Sequence, residues 1–117
     1  GYEVQITELD MGMDEKTDSN IKTQGRKYKV LFSGLKELRE EGYNITSVTV
    51  WGINDKNTWR SGEYPLLFDE KNEPKPAYAG AMLYDKIPAV ERGLGNCEIQ
   101  CIITVRCVIL LVPFQTH

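Results

Sequence analysis

The chain reads as α/β with parallel strands, on three observations: an apolar, β-branched run at residues 4–11, a long amphipathic stretch after it, and a second short β-branched run at residues 45–51. A strand, a helix of about twenty residues and another strand make a βαβ unit, whose crossover is right-handed and whose strands lie parallel. The C-terminal ends of both strands therefore meet one edge of the sheet.

The first strand takes in Val4, Gln5, Ile6, Thr7, Glu8, Leu9, Asp10 and Met11. A parallel sheet is covered on both faces, so Val4, Ile6, Leu9 and Met11 can all be buried while Glu8 falls where the strand emerges, with Asp10 two positions on. A carboxylate at that place either meets substrate or is a solvated loop residue. Residues 12–19 form a polar loop with Asp14, Glu15 and Asp18, and either Asp18 or Ser19 caps the helix that follows. That helix is set at about residues 21–41 by Tyr28, Leu31, Phe32, Leu35 and Leu38 at three- and four-residue steps. Lys29, Lys36, Glu37 and Glu40 lie opposite, and Gly42 supplies the left-handed terminating position. Gly42-Tyr43-Asn44 leads to the second strand, residues 45–51. The long loop of residues 52–75 belongs to the edge where Glu8 and Trp51 emerge. It runs into a last helix, residues 76–84, with Pro76 in the first turn, where its missing N–H costs nothing.

With 117 residues and a net charge of −3, the chain is sized for one small domain and has no electrostatic footprint for nucleic acid or an acidic membrane. It begins with Gly and enters a strand almost at once, without a charged n-region, an apolar h-region or a cleavage site, so it is expected to start inside a domain. Cys97, Cys101 and Cys107 all lie near the end, and an odd count leaves at least one thiol unpaired. Their Cys-x3-Cys-x5-Cys spacing lacks the fourth ligand of a zinc site, so structural or free thiols are expected and no metal. Residues 1–91 carry 12 basic and 16 acidic groups, whereas residues 92–117 carry two Arg and one Glu. The apolar run at residues 101–114 falls short of the roughly 20 residues that span a bilayer and reads as a strand. Residues 99–112 have the composition to pair with an open sheet edge, with Arg106 and Pro113 limiting the strand's length. No phosphate-binding glycine loop is present, Gly93-Leu94-Gly95-Asn96 reads as a turn, and Asn44-Ile45-Thr46, which matches a glycosylation acceptor, abuts a strand and is assigned no role.

Two motifs in order carry the functional reading. Thr7-Glu8-Leu9-Asp10 lies one helix and one strand before Trp51-Gly52-x-x-Asp55-x-x-x-Trp59-Arg60, which is followed by Pro65-Leu66-Leu67-Phe68-Asp69 and Lys75-Pro76-Ala77-Tyr78. This arrangement resembles the final strands, loop and helix of glycoside hydrolase family 10, the retaining endo-β-1,4-xylanases. The resemblance covers roughly residues 1–86 and implies a partial TIM (β/α)8 barrel, its last two βα units, because a whole barrel takes about 250 residues or more. Residues 1–87 are then the C-terminal part of a catalytic barrel, and residues 88–117 an unassigned tail, strand-forming or artefactual. The resemblance further implies xylan or xylo-oligosaccharide as substrate, no cofactor, no nucleic-acid or membrane partner, a secreted enzyme, and the remainder of the barrel supplied from outside this chain.

Retaining hydrolysis uses two carboxyl groups about 5–5.5 Å apart, one attacking the anomeric carbon and one protonating the departing oxygen. By the resemblance Glu8 is the nucleophile, and Asp10 orients a histidine that holds it. That histidine belongs to the preceding strand; the single histidine here, His117, reads as a solvated chain end. The family's acid/base glutamate is matched neither by Glu3, at the wrong end of the strand, nor by Glu63 in the loop, so the chain alone is expected to be inactive. The resemblance places Trp51 and Trp59 in subsites on the non-reducing side, where aromatic faces suit sugar rings; the alternative is that either packs the barrel mouth. Arg60 either hydrogen-bonds sugar hydroxyls or pairs with Asp55 or Glu63. Asp55 reads as fixing the loop, and Tyr64, Tyr78 and Tyr84 as packing. Two rivals stand beside the xylanase: another retaining β-glycanase acting on cellulose or mixed glucans, against which the Trp-Gly-x-x-Asp loop argues, and a non-catalytic carbohydrate-binding remnant.

Overall fold

The computed structural model describes residues 2–82, 103–106 and 109–113. Strand β1 (Tyr2–Met13) is followed by helix α1 (Asp18–Glu40), strand β2 (Ile45–Val50), a 3-10 turn (Ser61–Glu63), helix α2 (Pro76–Met82) and strands β3 (Ile103–Arg106) and β4 (Ile109–Pro113). The expected βαβ unit is present: β1 and β2 pair in parallel, Val4 against Ile45 and Leu9 against Val50.

Strand β1 is longer than the sequence predicts, reaching Met13 rather than Met11. Its other edge is occupied antiparallel by the tail, β4 along Tyr2 to Ile6 and β3 along Asp10 to Met13. Pairing so distant in sequence leaves no mark on the local pattern of residues 12 and 13. Glu8 is consequently inside the strand and not at its end. It does mark the end of the parallel pairing, since Leu9 is the last residue of β1 matched to β2. Arg106 and Pro113 close β3 and β4, as their interruption of the apolar run suggests.

Helix α1 starts earlier than the capping residues named above. Thr17, in extended conformation, accepts the Asn20 backbone N–H on its hydroxyl at 3.1 Å, so the cap is Thr17 and not Asp18 or Ser19. At the other end Gly42 has φ of 105°. The Gly42 N–H donates to the Arg39 carbonyl and the Tyr43 N–H to the Leu38 carbonyl, a Schellman closure that needs a residue tolerant of positive φ.

The buried side of α1 is also offset from its apolar stripe. Tyr28 is fully buried, but so are Gln24 and Gly25, whereas Leu38 is exposed and Leu31, Phe32 and Leu35 only partly buried. The cause is α2, which crosses α1 at glycines: a Cβ on Gly80 would lie 2.2 Å from the Gly25 carbonyl oxygen. The core joins Ile6, Leu9, Met11 and Met13 of β1 to Tyr28, Leu67, Ala77 and Ala81. Beyond it a groove between α1 and β2, lined by Phe32, Leu35, Ile45 and Val48, stays open.

Strand β2 stops at Val50, one residue before the predicted end, because Gly52 with φ of 137° turns the chain away. The Trp51 N–H still donates to the Leu9 carbonyl at 2.9 Å. Helix α2 begins at Pro76 as expected; Leu83, Tyr84, the three cysteines and His117 lie outside the described residues. No helix among the described residues is long and apolar enough to cross a membrane.

Candidate active site

Glu8 sits at an irregularity in the sheet. Between the pairs Ile6–Val48 and Leu9–Val50, β1 spends three residues where β2 spends two, so Thr7 and Glu8 form a bulge. A bulge breaks the strict alternation of faces and re-aims the side chains it carries. Glu8 is half-buried, whereas Leu9 and Asp10 on its C-terminal side are fully buried.

The loop after β2 is sewn back onto this part of β1. Besides the bond from Trp51 to Leu9, the Met11 N–H donates to the Pro65 carbonyl. Three consecutive carbonyls of the loop take side-chain donors: Tyr64 from Gln24 and Lys75, Pro65 from the Tyr28 hydroxyl at 2.6 Å, and Leu66 from Lys75. Lys75 completes its three donors on Asp55 at 2.8 Å, and the other Asp55 oxygen accepts the Leu66 N–H. Burial pushes the Lys75 ammonium below its usual value, against the opposing effect of Asp55. Asp55 thus fixes the loop, through a lysine whose pairing with it leaves no local signal because the two lie 20 residues apart. Gly52 has a packing reason as well as a conformational one, since a Cβ there would come within 2.6 Å of Leu66.

A second cluster gathers Asp10, Trp59, Arg60 and Glu63. One oxygen of the fully buried Asp10 carboxylate accepts a hydrogen bond from Arg60 and the other accepts the Trp59 indole N–H at 2.9 Å. Arg60 is 7% exposed and turns its remaining fork to Glu63, Nε to Oε2 at 2.6 Å and Nη2 to Oε1 at 3.0 Å. Of the two carboxylates weighed for Arg60, Glu63 therefore takes it, while Asp55 belongs to Lys75. Arg60's hydrogen bond, aided by its charge, holds the Glu63 carboxyl below the usual range, and Glu63 in turn raises the Arg60 guanidinium. The guanidinium carbon lies 5.6 Å from the Trp59 ring centroid, within cation–π range. Gly12 makes room for it: a Cβ there would lie 2.5 Å from Arg60 Nη2.

Of the residues singled out in sequence, the structure joins Asp10, Trp59 and Arg60 by direct hydrogen bonds and brings Trp51 to β1 by its backbone. Trp51 and Trp59 are 49% and 59% exposed, so both present indole surface to solvent. Asp10 meets an arginine and an indole N–H, the partners this chain supplies. Tyr64 adopts a left-handed backbone with Lys16 Nζ 5.1 Å from its ring centroid, and Tyr78 packs on Phe68. Sequence reasoning named Glu63 among the partners of Arg60 but not its two-bond geometry, nor the bond from Arg60 to Asp10. It also missed Gln24 and the use of the Tyr28 hydroxyl, for which the need of a buried tyrosine for a partner was the available clue. Among the described residues no cluster of three or more His, Cys, Asp or Glu is placed to hold a metal.

The segment is a parallel βαβ unit with a carboxylate at a bulge and two exposed tryptophans at the end of β2 and on the anchored loop after it. The model of glycosyl hydrolase family 10 matches residues 1–83, and the chain belongs to that family. It is 40% identical over 99 residues to endo-1,4-beta-xylanase Y of Acetivibrio thermocellus, covering 82% of this chain and 9% of that protein. It is 46% identical over 80 residues to the exoglucanase XynX of the same organism, covering 67% of this chain and 7% of that protein. Among solved structures, the intracellular xylanase TsXylA of Thermoanaerobacterium saccharolyticum, in complex with xylotetraose, superposes with a TM-score of 0.61 at 40% identity, covering 68% of this chain and 24% of that one. The chain thus spans under a tenth of these curated relatives and about a quarter of that solved chain. The expectation of a secreted enzyme is overturned: a close structural match is described as intracellular, so membership of the family carries no extracellular location.

Proposed function

We propose that this chain supplies the nucleophile side of a retaining endo-β-1,4-xylanase, as the last two βα units of a (β/α)8 barrel that other residues complete. Glu8 attacks the anomeric carbon of a xylosyl unit in an internal linkage of xylan, and water later releases the covalent glycosyl-enzyme. Trp51 and Trp59 offer aromatic faces to xylosyl rings. Arg60, buried behind Trp59, supports that ring from Asp10 and Glu63 and leaves sugar hydroxyls to other groups. The observation that carries this reading is the bulge that sets Glu8 apart at the end of the parallel pairing, beside the carbonyl of Leu9 to which Trp51 is tied.

The second carboxyl is not offered by the two glutamates weighed for it. Glu3 lies toward the opposite end of β1, bound to Thr46 and Gln5, and Glu63 is held by Arg60. The chain alone therefore releases no sugar. Joined to the rest of a family barrel it hydrolyses xylan, and Glu8→Gln lowers kcat by roughly 10⁴-fold or more while xylo-oligosaccharide binding persists. Full turnover by the Glu8→Gln enzyme would overturn the assignment. The relative named an exoglucanase favours a β-glucan as second substrate. Parallel assays on xylan and on cello-oligosaccharides separate the two, because only an enzyme with room for a hydroxymethyl group at C5 turns over the latter.

A further inference from the structure

We infer that Glu63 is a positioning residue for Trp59, acting through the buried Arg60 and Asp10. Trp59 stands with more than half its surface in solvent, so packing covers only the smaller part of the indole. Two polar contacts hold it. Asp10 accepts the indole N–H, and the Arg60 guanidinium lies against the ring. Both points depend on where the guanidinium sits, because one of its donors also engages Asp10.

The guanidinium is itself located from the far side. Glu63 accepts from Nε and Nη2 in a two-bond fork, the geometry in which a planar guanidinium is held in orientation as well as position. Its side chain is 43% exposed, against 6% for Arg60 and 1% for Asp10, so the carboxylate closes the buried pair toward water. Removing it leaves two donors of a buried cation unpaired, and a buried charge that loses a partner moves to find water. Arg60 then withdraws from the ring, and Asp10 keeps the indole by a single bond. Gly12 fits the same design, since the absence of a Cβ there makes the cavity that Arg60 Nη2 fills. The proposed sugar-face role of Trp59 is needed only for the consequence in binding.

The test uses the whole chain in a Trp51→Phe background, which leaves Trp59 as the single tryptophan. Acrylamide quenching and fluorescence anisotropy then report one ring, with far-UV circular dichroism as the control for fold. Glu63→Ala is expected to raise the quenching constant by roughly twofold and to lower the anisotropy at unchanged circular dichroism. Glu63→Gln, whose amide keeps one acceptor but turns an N–H₂ toward the other guanidinium donor, falls between that value and the parent. Parent-like quenching in a folded Glu63→Ala chain overturns the inference. If Glu63→Ala does not fold, the Glu63→Gln value decides: an intermediate rise supports the inference and a parent value overturns it. Loss of fold in both overturns it as well, by showing that Glu63 holds the domain and not one ring. Xylohexaose added to the parent separates the readings: no protection of Trp59, with the variant order intact, removes the sugar role and leaves the positioning role standing.

Discussion

Among the described residues two aspartates are completely buried and each faces a cation, yet Asp55 with Lys75 and Asp10 with Arg60 do different things. Lys75 spends every donor inward, on Asp55 and on the carbonyls of Tyr64 and Leu66, and the pair ends where it begins, within the loop. Arg60 spends its donors on a chain that leads out, from buried Asp10 to half-exposed Glu63, with an exposed indole alongside. A closed pair stores stability, whereas an open one conveys position to the surface. Buried ion pairs recoup their desolvation only when geometry and further hydrogen bonds are good, so a pair that ends inside the fold is expected to be the more costly to break.

The largest effect should follow from Lys75→Met, which strands the Asp55 carboxylate in the core. A loss of about 3–5 kcal/mol is expected in urea unfolding, against under about 1 kcal/mol for Glu63→Gln, whose partner can turn to water. Equal losses would erase the distinction between the two pairs. Next comes Gly12→Ala, whose new methyl meets Arg60 Nη2 at 2.5 Å and Glu63 Cβ at 3.0 Å. Overpacking there should cost about 2 kcal/mol in the same assay and raise the quenching of Trp59 with it, because the displaced group is the one that holds the ring. A destabilised chain with unaltered quenching would place Gly12 with the core and not with the outward-leading pair.

Much of this frame is legible in the residues themselves. The period of Tyr28 to Leu38, the glycine at 42 and the β-branched run at 45–50 dictate strand, helix and strand, because each is a local property of the backbone. The Trp-Gly-x-x-Asp-x-x-x-Trp spacing likewise marks the loop. What the chain conceals is long in sequence and short in space. Asp10 meets Arg60 across 50 residues and Lys75 meets Asp55 across 20, and neither pair has a periodic signature. The offset burial of α1 was hidden for a related reason. Leu31, Phe32 and Leu35 promise a core, but Gly25 and Gly80 let α2 approach elsewhere, and close approach is decided by the pair of glycines together.

Trp59→Ala should cost less again in stability, about 1 kcal/mol, because it takes one donor from the buried Asp10 carboxylate while Arg60 stays. In xylohexaose titrations the same change is expected to remove about 1 kcal/mol of binding, close to fivefold in Kd. A fall in Tm with unchanged sugar affinity would instead make Trp59 a packing residue. The smallest effect is one of pH. Because Arg60 depresses the folded-state value of Glu63 below 4.5, the contribution of Glu63 is present above about pH 4.5 and is lost as pH falls through that lower, folded value. Trp59 emission in the parent should therefore shift on acidification beneath pH 4.5, and Glu63→Gln should flatten that limb. An identical acid limb in both would assign the titration to another group.

The pairing of the tail with β1 has a kinetic consequence. With β2 on one side and β3 and β4 on the other, β1 has a hydrogen-bonded neighbour along both edges. A further strand cannot simply add there; it must evict β3 and β4 first. Assembly with any complementary segment on that side is an exchange reaction, and its observed rate should level off at high partner concentration, at the rate with which the tail lets go.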